Sequence, residues 1–169
     1  MADRNIGTGI GASIIRKEDK RFLTGSGRYT DDISLPGQLH VHFVRSVHAH
    51  ANIKAIHTDA AYKADGVVAI FTGEDVAADG IGGPICGWVV NSRDGSPTNE
   101  PPHPILADGK VRYVGDHVVA VLAESLEQAM YAAELVEIDY EVLAPVVDLG
   151  KASAGAQIHG NVPNNMYFD

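Results

Sequence analysis

Histidine is the residue type this chain concentrates in one place. His40, His42, His48, His50 and His57 fall within 18 residues, out of eight in the 169-residue chain. Two histidines at i, i+2 on a strand leave the same face, so His40 and His42 could share a metal ion. A zinc site needs a third and usually a fourth ligand, and neither a cysteine pair nor an H-E-x-x-H helix supplies one. Histidine side chains on a polar strand face, and a ring nitrogen of His48 or His50 bonding a backbone carbonyl near a turn, are the expected outcome.

Other reactive types are similarly isolated. The run "GTGIGAS" has the glycines of a phosphate-binding turn, but no strand precedes it and the G-x-G-x-x-G spacing is broken. Ser13 lacks the second glycine and the strand-turn-helix frame of a nucleophile elbow. Cys86, with His103 or His117 as a conceivable base, reads instead as a small apolar residue near Trp88. Glu124, Glu127, Glu134, Glu137, Asp139 and Glu141 read as solvated faces. No catalytic, cofactor-binding or metal-ligating residue is assigned.

The elements around these residues are short. "QLHVHFVRS" (38–46) alternates as a strand, with Leu39, Val41 and Phe43 on one face and His40, His42 and Val44 on the other. "NIKAIHT" predicts a second strand. Thr58 and Asp59 then offer cap oxygens to a two-turn helix closed by Gly66. "VVAIF" and "VVAVLA" suit buried strands, and "TGED" suits the cap of a brief helical turn. Ser125 and Gln128 form the pattern of a capping box. Leu126, Ala129, Met130 and Ala133 follow at the spacing of an inner helix face. "VEIDYEVL" alternates apolar and acidic residues, which predicts a half-buried strand with one solvated face. Residues 27–33 suggest a pairing segment, with a turn at Leu35-Pro36-Gly37. Residues 77–104 mix glycine and proline without a period.

These elements describe an α+β chain of short mixed strands and two principal helices. The expected organisation is an extended arm (1–37), a domain (38–149) and a C-terminal linker (150–169). With 22 acidic against 13 basic residues the net charge is −9, which argues against nucleic acid. The longest apolar runs are far short of the roughly 20 residues of a membrane helix. A lone cysteine and an N-terminus without an apolar stretch imply a cytoplasmic protein.

Several segments together resemble one family. They are "RKEDKRFLTGSGRYTDDISLPGQLHVHFVRSVHAHANIKAI", "AAYKADGVVAIFTGEDV", "ILADGKVRYVGDHVVAVLAESLEQAMYAAELVEIDYEVLAPVVD" and "IHGNVPNN". Their order and spacing resemble the large subunit of molybdenum-containing hydroxylases, the xanthine dehydrogenase, aldehyde oxidase and aerobic carbon monoxide dehydrogenase type. The resemblance implies an α/β-hammerhead fold, with His48 and His50 in a structural "HAHA" stretch. Val47 and His117 stand where such sequences usually have proline, departures that bear on local loop shape and not on the fold.

The resemblance also implies molybdopterin, with [2Fe-2S] and FAD, for an assembled enzyme, and no cofactor in this chain. Its expected partners are a molybdopterin-binding large-subunit domain or chain and the iron-sulfur and flavin subunits. The chain alone is expected to be inactive, with a structural and docking role. Ile85, Trp88 and Val89, apolar residues inside the proline- and glycine-rich loop, are the expected docking positions. The alternative is a stand-alone binding or scaffold domain.

Overall fold

A computed structural model describes residues 10–12, 16–85, 87–88 and 90–169. The chain divides into two compact units, Met1–Gln38 and Leu39–Asp169.

In the first unit a short helix, α1 (Asp19–Leu23), is followed by a 3-10 turn over Thr30–Asp32. Residues 27–33 therefore do not pair as a strand. The Asp32 carboxylate accepts the Tyr29 backbone N–H at 2.8 Å, and Asp32 N–H bonds the Tyr29 carbonyl at 3.1 Å. A polar side chain that satisfies nearby backbone in this way competes with extended structure. The Tyr29 ring stacks on Phe22 with centroids 5.2 Å apart. The expected turn forms at Leu35–Gln38, where Gly37 has φ +76°.

The second unit holds two three-stranded antiparallel sheets. β1 (His40–Arg45), β5 (His117–Ala123) and β3 (Val67–Thr72) form one, in the order β1-β5-β3. β4 (Lys110–Val111), β2 (Ala51–His57) and β6 (Glu137–Val142) form the other, in the order β4-β2-β6. The helices α2 (Asp59–Tyr62), α3 (Gly73–Ala78) and α4 (Leu126–Glu134) connect them. The central strand β5 is the most buried element. Val118, Val119, Val121 and Ala123 are fully buried, as are Ala51 and Val111 of the second sheet. Branched side chains dominate β5 because it is the central strand, paired along both edges and packed under α4.

Helix α4 starts as its sequence predicts, with Ser125 Oγ accepting the Gln128 N–H at 3.2 Å. The reciprocal half of a capping box does not form. The Gln128 amide instead lies directly over Gly66, where any Cβ would collide with it and where φ is +76°. The inner face of α4 agrees with the expected one at Ala129 and Ala133 and differs at Leu126 and Met130. Ala129, Ala132 and Ala133 are buried, whereas Leu126 and Met130 are about half exposed. Small residues let the helix sit close on the sheet, and the long side chains move to its rim.

β1 differs in the same way. His42 and Val44 lie beside Met130, Ala133 and Glu134 of α4, and the register sets His42 opposite Val121 and Val44 opposite Val119. The histidine-bearing face is thus the one covered by the helix, while Leu39 and Val41 of the apolar face remain exposed. At Thr58 the expected side-chain cap of α2 is absent, but Thr72 and Asp75 cap α3 reciprocally. β6 carries Glu137, Asp139 and Glu141 outward as expected.

Candidate functional site

The histidine stretch is a structural corner. Ser46, 2 % exposed, exchanges backbone bonds with the Gly115-Asp116 turn: Ser46 N–H to the Asp116 carbonyl at 2.8 Å, and Gly115 N–H to the Ser46 carbonyl at 2.8 Å. The Asp116 carboxylate accepts the Arg112 N–H at 3.0 Å. Ser46 Oγ accepts the His48 N–H at 3.0 Å and donates to the His48 carbonyl at 2.9 Å. The His48 ring meets Tyr140 edge-on, with centroids 4.9 Å apart. His50 is buried and its Nδ1 lies 2.9 Å from the Ala144 carbonyl, an N–H to carbonyl bond that ties β2 to the chain after β6. His117 packs against Phe43 at 4.7 Å. His57 pairs with Asp139 at 3.1 Å on the exposed face of the second sheet. That hydrogen bond raises its pKa above 6.5 against an opposing desolvation, and the charges of Asp139, Glu137 and Asp59 add to the rise. Among the described residues, no group of three or more histidine, cysteine or carboxylate side chains is arranged to hold a metal ion.

The docking positions expected from sequence lie on the long loop between α3 and β4. Ile85 is 93 % exposed and Trp88 is 76 % exposed; Val89, like Cys86, lies outside the described residues. The loop is more ordered in its second half than its composition suggests. Asn91 and Pro97 form an isolated bridge around a turn closed by Ser92 N–H to the Ser96 carbonyl, with Gly95 at φ +85°. Asp94 Oδ1 accepts both the Ser96 N–H at 2.9 Å and the Ser96 hydroxyl at 2.6 Å, which holds the Asp94 carboxyl below its ordinary pKa.

The chain's last residues pin this turn. Arg93 N–H bonds the Asp169 carbonyl at 2.7 Å, and Asn99 bonds the Tyr167 carbonyl through its backbone and the Met166 carbonyl through its side chain. Asp169 N–H reaches Ser92 Oγ at 3.2 Å.

Beside Ile85 the loop opens a cleft of about 910 Å³ against residues 159–161. Gly83 makes the close approach, since a Cβ there would strike the His103 carbonyl. His103, Arg112 and His159 share the cleft with Glu100 and Asp108. Burial lowers the His159 pKa, and the charges of Arg112, His103 and Lys110 lower it further. Arg112 Nε is buried without a hydrogen-bond partner. Sequence reading missed this set because it joins segments nearly 60 residues apart that share no periodic signal.

Comparison with known proteins agrees with this architecture. Residues 24–144 match the model for "Aldehyde oxidase and xanthine dehydrogenase, a/b hammerhead domain". The large subunit of nicotine 6-hydroxylase from Paenarthrobacter nicotinovorans is 39 % identical over 158 residues, covering 93 % of this chain and 19 % of that protein. The carbon monoxide dehydrogenase large chain of Afipia carboxidovorans is 40 % identical over 144 residues, covering 85 % of this chain and 16 % of that one. The crystal structure of a Cu,Mo-CO dehydrogenase superposes with a TM-score of 0.70 at 39 % identity, over 86 % of this chain and 17 % of that one. The chain thus spans less than a fifth of the length of these relatives. No described helix is long and apolar enough to cross a membrane. On the match over 24–144 and these identities, the chain belongs to the a/b hammerhead family of aldehyde oxidase and xanthine dehydrogenase, the molybdenum hydroxylases.

Proposed function

We propose that this chain serves as the hammerhead part of a molybdenum hydroxylase large subunit, with a structural and docking role and no catalytic group of its own. Its partner is the molybdopterin-binding portion of that subunit, in an assembly that also uses [2Fe-2S] and FAD. Residues 38–149 form the hammerhead, flanked by an arm (1–37) and a C-terminal connection (150–169).

The observation that carries the reading is the loop between α3 and β4. Ile85 and Trp88 are exposed on the same loop as a turn that hydrogen bonds fasten to residues 166–169. Large apolar side chains exposed on a loop are the type that anchors an interface once desolvated. The cleft beside them does not fit a resident molybdopterin. Glu100 and Asp108 line it against one permanent cation, Arg112, so it offers no excess positive charge to the phosphate of that cofactor. The cofactor is therefore assigned to the partner.

Association of the purified chain with the molybdopterin-binding polypeptide of a large subunit from the same genome tests the reading. The expected result is a stable complex in which the amides of residues 77–88 exchange more slowly than in the free chain. Trp88→Ala should weaken it about tenfold, as the loss of an anchoring aromatic does. No complex at micromolar concentrations, or unchanged exchange across 77–88 within a complex, would leave the docking role unsupported.

A further inference from the structure

The cleft between the α3–β4 loop and residues 159–161 holds an arginine whose charge is unmatched. Arg112 lines the cleft, and its Nε is buried without a hydrogen-bond partner. Its Nη1 donates only to the Lys110 carbonyl, a neutral acceptor, at 3.3 Å. Arg16, Arg21, Arg28, Arg45 and Arg93 are all exposed, so Arg112 is the one described arginine partly withdrawn from water. Among the described residues it forms no ion pair. A guanidinium taken out of water is normally matched by an anion.

The walls around it are held in place. The Arg112 backbone is fixed by its N–H bond to the Asp116 carboxylate at 3.0 Å. In the segment that carries His159, the Gln157 amide donates to the His159 and Gly160 carbonyls at 2.9 and 2.8 Å, and Asn165 Oδ1 accepts the Ile158 N–H at 2.8 Å. The charges acting on the His159 ring have one sign, since Arg112, His103 and Lys110 each oppose its protonation. Glu100 and Asp108 are exposed, where water screens them, and neither acts on His159. Ile81, Pro84, Pro101 and Pro104 give the lining its apolar surface, and about 910 Å³ is room for a small molecule.

We propose that this cleft binds a small organic monocarboxylate, its carboxylate on the Arg112 guanidinium beside His159 and its apolar body along the proline-lined wall. A planar guanidinium matches a carboxylate through two parallel N–H bonds. One negative charge balances one arginine, whereas a phosphate dianion exceeds it and also meets Glu100 and Asp108. Every group of the site lies within this chain, so the site holds whether or not the subunit reading does.

Titration of the 169-residue chain with sodium benzoate, followed by NMR at the His159 ring and the Arg112 Nε–H, tests the assignment. Both signals are expected to shift saturably, with half-saturation at about 1 mM. The His159 midpoint should rise at saturation, because a nearby carboxylate favours the protonated ring. Benzamide, which keeps the apolar body without the charge, and inorganic phosphate should each bind about tenfold more weakly or less. Arg112→Gln should weaken benzoate about tenfold through the lost charge-assisted bonds, while Lys20→Gln, at an exposed position of the first unit, should not. No saturable shift up to about 10 mM benzoate overturns the proposal, as does equal binding of benzamide or of phosphate. An equal loss with Lys20→Gln would trace the affinity to net charge and overturn it too. The comparison of benzoate with benzamide uses the native chain, so it decides the matter even where Arg112→Gln does not fold. Failure of the chain to join a molybdopterin-binding polypeptide overturns the subunit reading and leaves this site standing.

Discussion

Side-chain identity in this chain is settled mostly by what the backbone needs. His50 illustrates it: the ring is buried, one nitrogen bonds the Ala144 carbonyl, and the residue joins β2 to the segment after β6. Sequence alone made a carbonyl bond the expected role for this histidine, because His48 and His50 follow the strand end. It did not show that His42 would face α4, since alternation defines two faces without saying which one a helix will cover. His57 is the one histidine whose titration the structure shifts upward. Asp139 stabilises its protonated form, so the pairing adds stability that is fully present below pH 6.5 and is lost as pH rises through the higher folded pKa. Asp139→Asn should bring the His57 midpoint back down in an NMR titration, and an unchanged midpoint would mean that the pair does not persist in solution. At the other end of the scale, Asp75 is held below 3.8 by the Thr72 hydroxyl and N–H. Its contribution is present above 3.8 and fades as pH falls through the lower folded value, and Thr72→Ala should shift the Asp75 titration upward.

At the scale of the element, periodicity located the pieces and packing chose their faces. β5 and β6 were legible because an unbroken branched run and a strict apolar-acidic alternation each admit one burial pattern. α4 was legible in position and only partly in rotation, with Ala129 and Ala133 read correctly and Leu126 and Met130 not. Its alanines at 129, 132 and 133 trace a seam that hydrophobicity alone ranks below Leu126 and Met130. The consequence is testable by chemical denaturation. Ser125→Ala removes the oxygen that accepts the Gln128 N–H and should cost about 1 kcal/mol. Ala132→Asp places a carboxylate where no water reaches and should cost about 3 kcal/mol or more. Met130→Asp, at a half-exposed rim beside His42, should cost clearly less than Ala132→Asp. The reverse order would mean that α4 sits on the sheet by the Leu126–Met130 side. Residues 27–33 escaped sequence reading for a different reason: a single carboxylate, Asp32, closes the turn, and no period announces that.

At the scale of the molecule, the segments without a period are fastened by bonds between distant residues. The turn at 92–96 and the residues 166–169 lie some 70 positions apart, yet backbone groups of Arg93 and Asn99 donate to the carbonyls of Asp169 and Tyr167, and Asp169 returns a bond to Ser92. Glycine and proline content predicted an irregular loop. It carried no information about this clasp, because backbone carbonyls at one end and backbone amides at the other are common to every sequence. Removing Met166–Asp169 deletes the acceptors and leaves the Arg93 and Asn99 amides to water. Hydrogen exchange should then accelerate at Arg93 and Asn99, while Val119 and Val121 of β5, bonded to strands on both sides, keep their protection. Acceleration confined to the loop would identify the terminal residues as its restraint. Equal exchange at Arg93 and Asn99 before and after truncation would show that the Ser92–Ser96 turn holds itself.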